Sequence, residues 1–314
     1  MGTLSTIILT AAVLLNALGC MRPGPPGVTL VPLFGPVIRA EPITGRIEDG
    51  AGEIVLLEGG SALVTIDLAR RSASRVELQI PNAHCSGLAR LADGTLWTLK
   101  DRATLAQIDR AGRLVHEIAL GGPHLGLFSV GGELLYEETN LPPPAPVFRA
   151  GPPGPRGVTP WSDLTMRPFA GFNRGAVMAL NLASCGIGRR GEMPCWFPDE
   201  PAVSLIQPSG RTRRIDLAGL YHVTPEALIA SEAPPRPVRD AYIDEADVMW
   251  VLSSGEPARV PTDTPGGRVI ARYRTTGSAI DQRRLEEPVR LILRVEAGRA
   301  VLLTGAGMVA ELPQ

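Results

Sequence analysis

The chain has 314 residues, 44% of them hydrophobic and 20% charged, enough apolar material for one large domain or two ordinary ones. A net charge of −1 excludes a global field that would draw the chain to nucleic acid or to an anionic membrane. The 35 glycines and 30 prolines make it rich in turns without reaching the level of wholesale disorder, and Lys100 is the sole lysine among 31 basic residues, a bias that reads as codon usage.

Leu4 to Gly19 is an apolar run broken only by Ser, Thr and Asn, and it ends at Cys20. The segment after it, with Pro23, Pro25 and Pro26, cannot continue a helix. Residues 1–20 therefore read as a signal peptide, 21–27 as a Pro/Gly linker and 28–314 as a single body. Ala17-Leu18-Gly19-Cys20 resembles a lipobox, in which the cysteine becomes the lipidated first residue of a bacterial lipoprotein. The large aliphatic residue stands one place late, and no Lys or Arg precedes the run. An uncleaved anchor helix and an ordinary signal peptide are the alternatives; the run is short against the ~20 residues of a full span. All three put the body outside the cytoplasm. One acyl chain anchors weakly, so stable attachment takes two or more.

The body repeats. Val28 to Ile43 reads as a strand region that completes the last, short copy and so closes a ring from both ends of the chain. The copies are read at 45–80, 84–120, 124–172, 175–217, 222–285 and 289–313. Three align by eye, each with a Trp-bearing strand (Trp97, Trp196, Trp250), a loop, a second strand, a Gly turn and a third strand. Leu96-Trp97-Thr98-Leu99 and Val248 to Leu252 are β-favouring runs. Asp93-Gly94 is a hairpin signal, because Gly accepts the positive φ of a tight turn. Residues 141–160 read as a Pro/Gly surface excursion, and a polar insertion lies around Gly255 to Gly267. Helical periodicity is almost absent; only Asp281 to Leu293 is arguable, and Pro288 interrupts it. Strand–turn units of this size, unable to bury both faces alone, imply an all-β fold: a β-propeller of six blades.

The stretch from His84-Cys85-Ser86-Gly87-Leu88 to His124-Leu125-Gly126-Leu127 resembles the repeat of NHL-type and streptogramin-lyase-like propellers. The shared cycle is Gly-aliphatic, Asp-Gly, aliphatic-Trp, Ile-Asp, Gly. It covers one copy well and two in part, and it specifies fold far more than function.

His84, His124 and His222 each stand just before a proposed innermost strand, at the mouth of the central channel. Three converging imidazoles there would hold a divalent metal such as zinc with a position open for water. A neutral imidazole would serve instead as general base, as the streptogramin-lyase resemblance implies. The alternative is that each histidine caps a strand or bonds a backbone carbonyl. His116 lies mid-strand, facing solvent, with no role.

Cys185 and Cys195 close a short loop and suggest a disulfide in an oxidising compartment, with free buried thiols as the alternative; Cys85 is left over as a buried thiol. Asp244-Glu245-Ala246-Asp247 reads as a solvated turn rather than a calcium site, and Asp67, Asp109, Asp216 and Asp281 as turn caps. The basic clusters at 188–191 and 211–214 lack interleaved aromatics, so no nucleic-acid partner is expected. No G-x-S-x-G elbow, HExxH, P-loop or strand-borne GxGxxG occurs. These features describe an exported, membrane-anchored lipoprotein, monomeric, with no confident cofactor. Its propeller presents a rigid surface to an envelope protein, a glycan or another ligand. The alternative is a metal- or His-dependent lyase or lactonase working at the channel mouth.

Overall fold

Alternate residues of the central strands are buried on opposite faces, so every sheet has to be covered twice. The computed structural model describes residues 27–313 except 40, 49–51, 81–82, 121, 131–132, 138–142, 152–158, 161, 189–190, 231–235 and 256–265. Cys20 and the rest of the leader lie outside the described residues, as does most of the 255–267 insertion.

Strand β1 (Val31–Pro36) is followed by a sheet of β2 (Ile43–Glu48), β3 (Glu53–Glu58), β4 (Ala62–Asp67) and β5 (Ser72–Glu77), paired in chain order. A second such sheet holds β6 (Cys85–Arg90), β7 (Leu96–Lys100), β8 (Thr104–Ile108) and β9 (Leu114–Ala119). A third holds β10 (Gly126–Val130), β11 (Glu133–Glu137), β12 (Phe148–Gly151) and β13 (Thr159–Pro160). Helix α1 (Arg174–Leu180) leads to a fourth, of β14 (Ser184–Cys185), β15 (Met193–Trp196), β16 (Ala202–Ile206) and β17 (Thr212–Asp216). After helix α2 (Pro225–Ala230) come β18 (Asp240–Ile243), β19 (Val248–Ser253), β20 (Gly267–Arg274), β21 (Ala279–Glu296), β22 (Arg299–Thr304) and β23 (Met308–Glu311).

These last six strands and β1 form one seven-stranded sheet, but β21 divides its pairing. Up to Arg284 it is the outer strand beside β20; from Val289 onward it pairs with β22. Pro288, which cannot donate to a ladder, sits at the change of partner. The sheet therefore contains two four-stranded groups, and β1 closes the last of them by pairing antiparallel with β23. The order matches closure from both chain ends.

Six apolar clusters lie between neighbouring groups. Ile54 and Leu56 of β3 pack against Leu293, Leu303 and Val309 of the last group, while Val55 and Leu57 turn to Leu88, Leu96 and Ala106 of the second. Trp250 and Leu252 face the last group; Met249 and Val251 face the fourth. Among the described residues, one of these clusters lies between the last group and the first, so the row of groups returns on itself. Each fully buried aliphatic side chain contributes about 1.5–3 kcal/mol. Glycines let the first strands of adjacent groups meet: a Cβ on Gly186 would stand 1.8 Å from the Ala241 carbonyl oxygen, and one on Gly87 (φ +68°) 2.5 Å from the Leu127 nitrogen.

Three sequence expectations are corrected. Asp281 to Leu293 is strand, within β21, because both of its edges find partners. Among the described residues two helices occur that periodicity did not signal; at seven and six residues they are too short to show it. Asn173 caps α1 by accepting the Ala176 N–H at 2.9 Å. Residues 141–160 are not wholly a surface excursion: Val147 and Phe148 are fully buried, and Phe148 meets Phe128 edge-on with ring centres 5.7 Å apart.

Candidate functional site

The first strands of the groups lie side by side and border an open cavity of about 900 Å³. Its wall comes from β2, β6, β10, the 182–188 segment, Arg239-Asp240 and the start of the second half of β21. Three polar features of that wall bear on its chemistry.

The first is a closed ionic clasp. Arg46 on β2 donates from both terminal nitrogens to the two carboxylate oxygens of Asp240 on β18, each at 2.8 Å. The same guanidinium donates to the Ile292 carbonyl at 2.6 Å, and Asp240 accepts the Ile292 N–H at 2.7 Å and the Ala241 N–H at 2.9 Å. Side-chain exposure is 7% for Arg46 and 2% for Asp240. A buried pair is tolerable only when its remaining donors and acceptors are also met, as they are here. The clasp joins the first, fifth and last groups at the place where the ring closes. Beside it, Tyr242 donates to Glu48 at 3.2 Å, and Arg294 lies 3.5 Å from the same carboxylate.

The second is a lone acid. Glu137 ends β11 and is 2% exposed. One carboxyl oxygen accepts the Ala183 N–H at 2.7 Å; among the described residues nothing bonds the other, and the side chain borders the cavity. Burial without a compensating cation pushes its pKa up to about 8. The third is Arg239, next to Asp240 in sequence, which reaches the cavity without a carboxylate partner among the described residues.

The histidines are not brought together. His84 is exposed, and its backbone N–H and carbonyl bond Asp101 in the turn between β7 and β8. His124 is buried, with its ring 5.2 Å from that of Tyr136 and its backbone N–H on the Arg102 carbonyl. His222 is exposed and separated from β18 by α2. None of the three borders the cavity, and no cluster of three His, Cys, Asp or Glu side chains suited to a metal occurs among the described residues. His84 and His124 do stand just before first strands, but backbone bonds tie both to the 101–102 turn and neither borders the cavity.

Cys185 and Cys195 face each other across β14 and β15 and form a disulfide. Cys85 is a free buried thiol whose pKa burial raises to about 11. Asp244 caps its turn, accepting the Ala246 and Val248 N–H groups and the Trp250 indole N–H at 2.9, 3.0 and 2.9 Å. Asp67 and Asp109 cap turns too, whereas Asp216 and Asp281 instead pair with Arg214 and Arg272 along outer strands.

Solved structures with the same architecture include a member of the DUF4221 family from Bacteroides vulgatus, with a TM-score of 0.58 at 12% identity over 91% of this chain and 98% of that one. A streptogramin B lyase aligns with a TM-score of 0.50 at 14% identity over 85% of this chain and 77% of that one. The chain is an all-β propeller. The extracellular domain of a putative one-component system from Bacteroides thetaiotaomicron aligns with a TM-score of 0.50 at 13% identity, covering 86% of this chain and 33% of that one. At these identities the likeness carries the fold alone. Neither a protein-family model nor a curated protein matches the chain in sequence.

The cavity residues Arg46, Glu137, Arg239 and Asp240 went unmarked in the sequence. Glu137 follows Leu134-Leu135-Tyr136, and an acid closing an apolar strand was the one local hint of a buried carboxyl.

Proposed function

We propose that this protein is an exported, six-bladed propeller that works as a binding scaffold in the cell envelope, anchored through a lipidated Cys20, with its recognition site in the axial cavity. The observation that carries the reading is the cavity itself: about 900 Å³, bordered by first strands from around the ring, with one Glu137 oxygen left without a protein partner among the described residues. Pockets of this size with a few convergent polar groups are where propellers and other closed folds take ligands. The disulfide and the leader-like residues 1–20 support an oxidising compartment. A protonated Glu137 donates one hydrogen bond and accepts another, which suits a polar ligand such as an oligosaccharide or a short peptide better than a cation.

The test is a saturation-transfer NMR screen of the full-length chain in detergent against envelope oligosaccharides, muropeptides and tripeptides. Ser129, on the cavity wall, is changed to Phe in a parallel sample to fill the space. At least one ligand should bind the parent and lose about tenfold or more in affinity with Ser129→Phe, the effect of blocking a fitted site. Ligands that bind both proteins alike would move recognition to the outer loops and overturn the cavity reading, as would a screen with no ligand sensitive to the substitution.

A further inference from the structure

We propose that Arg236 and Arg239, with the hydroxyls of Tyr221 and Ser254, bind the oxyanion of a small-molecule ligand, a carboxylate or a phosphate, at the rim of the axial cavity. The site is independent of the scaffold reading and is tested without it.

The backbone fixes the two arginines. The Arg239 N–H bonds the Leu252 carbonyl at 2.7 Å and the Ser254 N–H bonds the Arg236 carbonyl at 3.2 Å, extending the β18–β19 ladder past its end. Ser254 Oγ accepts the Arg236 backbone N–H at 3.0 Å and also the Arg239 Nε–H. Tyr221 stands at the Ser253 and Ser254 hydroxyls; its Oη is buried and makes no well-formed hydrogen bond among the described residues. The cluster is thus made of donors. The nearby serine oxygens are already engaged: Ser254 Oγ accepts twice and Ser253 Oγ accepts the Gly255 N–H. Among the described residues no acceptor meets the Arg236 guanidinium or the terminal nitrogens of Arg239.

Several other shielded arginines in the molecule face acids, and Arg290 and Arg268 meet backbone carbonyls instead. Arg46 holds Asp240, Arg75 holds Glu58, Arg167 holds Asp199 and Glu200, and Arg272 holds Asp281. Asp240, the acid adjacent to Arg239 in sequence, has both oxygens committed to the clasp. Burial draws both guanidiniums below their usual range, and the Arg236 charge lowers Arg239 further. A guanidinium nevertheless stays charged at neutral pH, and burial that pushes Tyr221 up to about 12 keeps its phenol a donor. Two half-buried cations side by side and a buried, unmet hydroxyl are unfavourable together until an anion arrives. Planar guanidinium forks match carboxylate and phosphate oxygens, and Arg239 opens the cluster onto the cavity.

The experiment titrates the full-length chain in detergent with inorganic phosphate, read by 31P line width, and with 13C-labelled acetate, read by shift and line width. Ionic strength is held constant with chloride. The expected result is saturable binding of at least one ion, and which ion it is names the ligand's acidic group. Arg236→Gln and Arg239→Gln should each raise Kd about tenfold or more, as expected for removal of a charge-assisted pair of hydrogen bonds. Arg236→Lys should recover part of that loss. Tyr221→Phe should weaken binding severalfold while leaving the fold unchanged by circular dichroism, because its hydroxyl has no protein partner to lose. Arg214→Gln, at an exposed arginine already paired with Glu200 and Asp216, should titrate as the parent does. Failure of both ions to saturate the parent overturns the proposal. So does a Tyr221→Phe or Arg236→Gln protein that binds as the parent does.

Discussion

Arg239 and Asp240 are neighbours in sequence with opposite surroundings. Asp240 accepts four hydrogen bonds, two from Arg46 and two from backbone, and closes the ring. Arg239 has one, to a serine, and shares its space with a second cation. Asp240 is fully buried and Arg239 half-buried, but the larger difference lies in pairing. A paired buried charge belongs to the architecture; the oxyanion proposal rests on the one that lacks an acid. Glu137 lies between the two cases. It has no cation and one backbone donor, and it adapts by holding its proton.

The largest expected effect comes from breaking the paired side. Asp240→Ala leaves the Arg46 guanidinium and the Ile292 N–H without their acceptor, and should cost about 3–5 kcal/mol of unfolding free energy in urea. A loss under about 1 kcal/mol would mean that the clasp does not hold the ring closed.

Glu137 sharpens the middle case through pH. Its folded-state pKa, about 8, is above the ordinary 4.5, so the fold favours the neutral form. Its contribution to stability is therefore complete below pH 4.5 and is lost as pH rises through about 8. Stability should fall by up to a few kcal/mol across that window, at 1.36 kcal/mol per unit of differential shift. Glu137→Gln keeps an acceptor for the Ala183 N–H and should flatten the decline. An unchanged pH profile in the variant would place the titrating group elsewhere.

The strand grammar was legible because it is local. Trp97, Trp196 and Trp250 all fall on second strands of their groups, and the Asp93 and Asp244 turns lie where hairpin chemistry puts them. The closing role of the first strand was legible because the last copy is short. The cavity was not legible, because its decisive pair is 194 positions apart in sequence and meets only once the ring has closed. Histidines before first strands looked like a metal set for the opposite reason. Their position along each copy was visible, but the direction in which the ring turns that position was not. The paired cysteines were readable from spacing alone, since strand-end residues around one short loop are forced opposite each other.

The smallest effect is also the most direct test of the contrast between filled and unfilled charge. The parent and Arg236→Gln would be melted side by side in chloride and in phosphate or acetate at equal ionic strength. In chloride the variant should melt slightly above the parent, because a half-buried cation beside a second cation has been removed. In the oxyanion the parent should rise with concentration and the variant should not, so that their order reverses. A variant that melts below the parent in chloride, and rises alongside it in the oxyanion, would show that Arg236 is a structural residue and contradict the account.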